Sequence, residues 1–115
     1  MKSKYDKVVK KLVVEMMREG YICTRISDGE EWHAIGNGSG LDKAYLSNAT
    51  STDESVLIFN SKDGNGTISL FLILGNSLYE TVSDYGWKRD IDQEVADRVT
   101  DKVSDYFEQK YREYA

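Results

Sequence analysis

The sequence has no proline, one cysteine and one histidine among its 115 residues. About six prolines would be expected from average composition, so the turns must be made by Asn, Asp, Ser and Gly. The single cysteine, Cys23, excludes an internal disulfide bond and favours a reducing compartment. With His33 it supplies only two of the four ligands that a zinc site requires, so neither a metal nor a cofactor is expected.

Long apolar runs and an excess of positive charge are also missing. Residues 70–75 are too few to span a bilayer, and Lys10 and Lys11 interrupt the apolar run near the N-terminus, which argues against a signal peptide. The 20 acidic and 15 basic residues give a net charge of −5, which disfavours non-specific attraction to nucleic acid or to anionic lipid. We therefore expect a cytoplasmic protein without a membrane partner.

The most apolar stretch, residues 67–75, predicts a central β-strand. Its two pleat faces both carry large side chains, with Ile68, Leu70, Leu72 and Leu74 on one face and Phe71 and Ile73 on the other. A strand this apolar at the edge of a sheet would invite aggregation. Further strands are predicted at residues 21–27, 31–35, 54–61 and 78–84, with Ile22, Thr24 and Ile26 on the inner face of the first.

Two amphipathic helices are predicted at the ends of the chain, over residues 4–19 and 89–114. Their apolar positions recur at helical spacing. In the first helix they are Tyr5, Val8, Val9, Leu12, Val13 and Met16; in the second they are Ile91, Val95, Val99, Val103, Phe107 and Tyr111. For residues 41–48, a short helix and an irregular crossover are both left open. The opposite face of the first helix is basic, which offers a weaker hypothesis of nucleic-acid binding through Lys7, Lys10, Lys11 and Arg18.

The order of elements is α-β-β-(α)-β-β-β-α. Strands joined by short turns are antiparallel, so we predict a single α+β domain over residues 1–115. It is a two-layer sandwich, in which an antiparallel sheet of about four or five strands carries both terminal helices on one face. This order is similar to that of secretion chaperones, a likeness of class without shared motifs.

A row of carboxylates is the most informative functional feature. Six acidic residues of the second helix fall within about 80° of its circumference and extend over about 27 Å. They are Asp90, Glu94, Asp97, Asp101, Asp105 and Glu108. Like charges at this spacing repel, and Asp is a poor former of helix interiors. Arg98, Lys102 and Arg112 flank the row. It is either an ordinary solvated face or an anionic strip for a basic surface.

A glycine-rich segment offers a second candidate site. Gly36, Gly38 and Gly40, followed by Lys43, suggest a loop that cradles an anion, although the spacing matches no phosphate-binding motif. With His33, this loop supports the alternative hypothesis of a nucleotide or small-ligand sensor, or of an enzyme. Cys23 and His33 would lie opposite one another in a hairpin through Asp28 and Gly29, so thiol catalysis is a remote option.

No motif predicts catalysis, and the leading hypothesis is a protein-binding module that acts stoichiometrically. Small acidic α+β chains occur among toxin-immunity proteins, phage-encoded inhibitors of host nucleases and secretion chaperones. The expected partner is a protein with a basic surface, bound through the carboxylate row. Nucleic acid is an unlikely partner, and a homodimer is left open.

Overall fold

Two helices lie on one face of a five-stranded antiparallel sheet. The computed structural model describes residues 2–35, 50, 53–74 and 77–112. In chain order the elements are α1 (Lys2–Arg18), β1 (Tyr21–Ser27), β2 (Trp32–Ala34), β3 (Glu54–Ser61), β4 (Thr67–Ile73), a 3-10 turn (Leu78–Glu80), β5 (Val82–Trp87) and α2 (Asp90–Arg112). The strands are arranged β2-β1-β3-β4-β5. The predicted α+β class and element order are confirmed. The short helix predicted at residues 41–48 lies outside the described residues.

The core lies between the helices and the sheet, where the predicted apolar stripes meet. All six predicted positions of α1 are buried, as are Ile68, Leu70, Leu72 and Leu74. β4 is an interior strand between β3 and β5, as predicted, although β3 occupies the centre. On α2 the stripe begins later than predicted, because Ile91 is 56% exposed whereas Val95, Val99, Val103 and Phe107 are buried.

A bulge in β1 changes the predicted inner face of that strand, of which Ile26 is confirmed and Ile22 and Thr24 are wrong. The register with β3 shifts between Cys23, which faces Phe59, and Arg25, which faces Ile58. Tyr21, Cys23, Ile26 and Ser27 are buried, whereas Ile22 and Thr24 are only partly buried. An extra residue in one strand reverses the alternation of side chains, and the period-two pattern of the sequence does not reveal where that occurs.

The last strand begins later than predicted. Residues 78–80 form a 3-10 turn instead of the start of a strand, and β5 runs from Val82 to Trp87. Thr81 is buried, and its hydroxyl donates a hydrogen bond to the carbonyl of Leu78 at 2.9 Å. Ser104 of α2 donates to the carbonyl of Tyr79 at 2.8 Å. Side-chain hydrogen bonds thus compete with the sheet ladder here.

The sheet face opposite the helices carries exposed aromatic residues. Phe71 of β4 and Trp32 of β2 are in register across the sheet, because Phe71 pairs with Val56, Val56 with Ser27, and Ser27 with Trp32. The side chains of Phe71 and Trp32 are 40% and 54% exposed. Neither helix in the described part of the chain has the length and apolar character needed to cross a membrane.

Candidate partner-binding face

The start of α2 is fixed by a buried carboxylate. Asp92 is fully buried and accepts hydrogen bonds from the backbone N–H of Arg89 at 2.9 Å and from its Nε and Nη2 atoms at 3.1 and 2.9 Å. The hydroxyl of Tyr21 on β1 donates to the same carboxylate. These bonds, those of Arg89 above all, hold the pKa of Asp92 at about 2. The carboxylate caps the helix and ties it to the sheet.

The turn between β3 and β4 closes over this carboxylate. Arg89 Nη1 lies 3.6 Å from the carboxylate of Asp63 in that turn. A Cβ atom on Gly66 would lie 2.3 Å from Arg89 Nη2 and 2.4 Å from Asp92 Oδ1. Residue 66 must therefore lack a side chain while Arg89 and Asp92 keep these positions. The start of α2 thus contacts both β1, through Tyr21, and the turn between β3 and β4.

The predicted carboxylate row lies mostly on the outer side of α2. Asp90, Glu94, Asp101 and Asp105 are exposed, and Glu108 is partly buried. Among the described residues, none of the four exposed carboxylates forms an ion pair. Their spacing on the helix places them on one side, so their negative charges add.

Asp97 is the exception in the row, because it is used inside the molecule. It is partly buried and accepts a hydrogen bond from the hydroxyl of Tyr85 on β5. This bond, burial and the negative charge of Asp97 raise the pKa of Tyr85. Asp97 thus joins α2 to the edge strand of the sheet and is less available to a partner than its neighbours in the row.

The basic residues Arg98 and Lys102, which flank the row, turn towards α1. Arg98 forms two hydrogen bonds with Glu19, at 2.9 Å from Nε and 2.8 Å from Nη2. Lys102 Nζ lies 2.8 Å from Glu15, a carboxylate that is only 3% exposed and that also pairs with Arg18 at 2.9 Å. The hydrogen bond from Lys102 is the largest influence that lowers the pKa of Glu15. Both positive charges therefore form their ion pairs outside the carboxylate row, although Arg98 also interacts electrostatically with Glu94.

An acidic cleft of about 240 Å³ separates α2 from β5 and the 3-10 turn. Its lining residues include Asp101 and Ser104 of α2, Ser83 and Asp84 of β5, and apolar residues such as Val103. An exposed carboxylate such as that of Asp101 beside apolar residues suits the charged end and aliphatic stem of a lysine or arginine side chain.

The structure separates the residues proposed for thiol chemistry. In the register of β1 and β2, His33 lies opposite Ile26, and Ile26 is three positions after Cys23. The prediction that His33 lies opposite Cys23 is therefore wrong. The imidazole instead lies 2.8 Å from Asp28, which also accepts hydrogen bonds from the backbone N–H groups of Glu30 and Glu31. Burial raises the pKa of the Cys23 thiol to about 12, which opposes nucleophilic chemistry at neutral pH.

The second candidate site lies outside the described residues. This holds for Gly36, Gly38, Gly40 and Lys43, and the sensor or enzyme hypothesis stays a prediction. In the part of the chain that the structure describes, no three His, Cys, Asp or Glu side chains are grouped to hold a metal ion.

The sequence analysis missed the residues that support the face from below. Asp92 follows Arg89 by three positions at the start of a helix, which is the spacing of a capping box and could have identified it. Glu15 carried no such signal, because its partner Lys102 lies 87 positions further along the chain.

A comparison of the chain with protein-family models, with curated proteins and with solved structures finds no match in any of the three.

Proposed function

We propose that this chain is a small protein-binding module that acts stoichiometrically, as an inhibitor, an immunity protein or a chaperone, on a partner with a basic surface. The observation that carries the proposal is the charge of the outer side of α2. Glu94, Asp101 and Asp105 are exposed. Arg98 is paired with Glu19, and Lys102 is paired with Glu15. A helix optimised only for stability would interleave opposite charges on this side.

The binding surface in this proposal combines the row with the acidic cleft beside it. Exposed carboxylates steer a basic partner into an encounter and give the association a strong dependence on salt. The cleft beside Asp101 then accepts one lysine or arginine side chain of the partner, which provides a specific anchor. The net charge of −5 and the unpaired Cys23 agree with a cytoplasmic setting.

The experiment first identifies the partner by affinity capture from the native host and then measures its binding by calorimetry. Reversing the charge at three exposed positions, Glu94→Lys, Asp101→Lys and Asp105→Lys, should weaken binding at least about tenfold while the melting temperature stays nearly unchanged. Asp97 is left intact, because it bonds to Tyr85.

A matched control carries the same change of net charge elsewhere. Glu30, Glu31 and Asp53 are exposed and lie outside α2. Their replacement by lysine should reduce affinity far less than the substitutions in α2. Equal effects of the two triple variants would mean that overall charge, and not this face, governs binding.

A further inference from the structure

A basic groove lies between the two helices, on the other side of α2 from the acidic cleft. It has a volume of about 330 Å³. Four lysines surround it, three from α1 and one from α2, namely Lys7, Lys10, Lys11 and Lys110. Its remaining lining residues are Val14, Tyr106 and Phe107. Among the residues that the structure describes, no carboxylate lines the groove, although the chain as a whole has five more acidic than basic residues.

The concentration of positive charge is unfavourable for the helix itself. Lys7 lies three and four positions before Lys10 and Lys11, and like charges at these spacings repel on a helix. The buried carboxylate of Glu15 is 3.8 Å from Lys11, but it also pairs with Lys102 and Arg18. A concave site with one sign of charge concentrates oppositely charged solutes.

The floor of the groove is apolar and is held in place by the lysines. The Nζ atoms of Lys11 and Lys110 lie 4.4 and 5.6 Å from the centre of the Tyr106 ring, which packs edge-on against Phe107. Tyr106 is 43% exposed. The aliphatic stems of the lysines extend this apolar surface. A ligand therefore meets positive charge and apolar surface together.

We propose that this groove binds a compact organic anion with an apolar body, of the chemical class of an alkyl phosphate. The anionic group would contact Lys7 and Lys10, because an ammonium is a compact donor suited to phosphate oxygens. The apolar body would contact Val14 and the exposed part of Tyr106, behind which Phe107 is buried.

Two observations favour a compact ligand over a nucleic-acid strand. Lys11 already occupies a face of the Tyr106 ring, which hinders the stacking of a base. The net charge of −5 of the whole chain also disfavours binding of a longer polyanion. The site is independent of the protein-binding face, since the two use different residues.

The test is a titration of the full chain with octyl phosphate below its micellar concentration, followed by NMR chemical shifts and calorimetry. We expect saturable binding with shifts at Val14, Tyr106 and Phe107. Inorganic phosphate and the neutral octyl glucoside, which offer the head group or the chain alone, should each bind at least about tenfold more weakly.

Two variants with the same loss of positive charge locate the site. Lys7→Ser with Lys10→Ser should weaken octyl phosphate binding at least about tenfold. Lys62→Ser with Lys88→Ser, at exposed positions away from the groove, should leave it unchanged. The proposal is overturned if octyl phosphate does not saturate, if octyl glucoside binds equally well, or if both double variants bind like the wild type. Binding of single-stranded DNA or an acidic peptide without octyl phosphate binding would also overturn it.

Discussion

Tyr21 on β1 donates a hydrogen bond to the carboxylate of Asp92 on α2, although 71 positions separate them in the chain. Both side chains are buried, and Arg89 binds the same carboxylate from the turn that precedes the helix. The contact joins the first strand of the sheet to the start of the last helix. It therefore determines how the outer side of α2 is presented.

Replacing Asp92 by Asn should destabilise the fold by about 2–4 kcal/mol, because Arg89 and Tyr21 lose a charged acceptor in a buried position. The free energy of unfolding in urea measures this loss. Asp90→Asn is the matched control, since Asp90 is exposed two positions earlier, and its cost should stay below about 1 kcal/mol. Equal stabilities of the two variants would show that the buried contact contributes little.

The contribution of Asp92 to the free energy of unfolding should disappear in acid. Hydrogen bonds, chiefly from Arg89, lower the pKa of Asp92 in the folded state to about 2, whereas an unfolded Asp titrates near 4. Its stabilising effect is therefore complete above about pH 4 and is lost as the pH falls towards about 2. The difference in unfolding free energy between wild type and Asp92→Asn should be constant above about pH 5 and should shrink below about pH 4. A difference that grows in acid would contradict this assignment.

Substitution of Gly66 by Ala should also destabilise the fold. The new Cβ would collide with Arg89 Nη2 at 2.3 Å and Asp92 Oδ1 at 2.4 Å, and the carboxylate is buried. We expect a loss of about 1–3 kcal/mol in the free energy of unfolding. In Gly86→Ala the added Cβ meets no atom within 4 Å, so this control should be nearly neutral. A Gly66→Ala protein as stable as the control would show that Arg89 and Asp92 move apart without cost.

Cys23 should be inert in the folded protein. Its side chain is buried, and burial raises the pKa of the thiol to about 12. At pH 8 iodoacetamide should therefore modify it only after unfolding, and the rate of the mass change should follow the fraction of unfolded protein as urea is added. Rapid modification without urea would revive the hypothesis of a reactive thiol.

Helix periodicity predicted α1 well, because its six core positions repeat at the spacing of a single buried face, from Tyr5 to Met16. The same criterion placed Ile91 in the core, where the structure exposes it. Ile91 lies in the first turn of α2, directly before Asp92. The orientation of that turn is set by the contact of Asp92 with Tyr21, and an apolar pattern does not contain this information.

The strand errors have a different cause. The bulge after Cys23 and the 3-10 turn at Leu78 depend on neighbouring strands and on side-chain hydrogen bonds, which a one-strand pattern does not record. For the candidate site, helical spacing alone placed the carboxylates on one side of α2. Lys102 pairs with Glu15 and not with the carboxylate row. This pairing depends on how the two helices pack, so it could be found only in the structure.

We propose that the outer carboxylates of α2 serve recognition of a partner and not folding. The most direct measurement is the free energy of unfolding of a variant with Glu94→Gln, Asp101→Asn and Asp105→Asn at low and high salt. We predict stability equal to that of the wild type or up to about 1 kcal/mol higher, with the gain shrinking as salt screens the repulsion. A loss of more than about 1 kcal/mol would contradict the claim, because the row would then be part of what stabilises the fold.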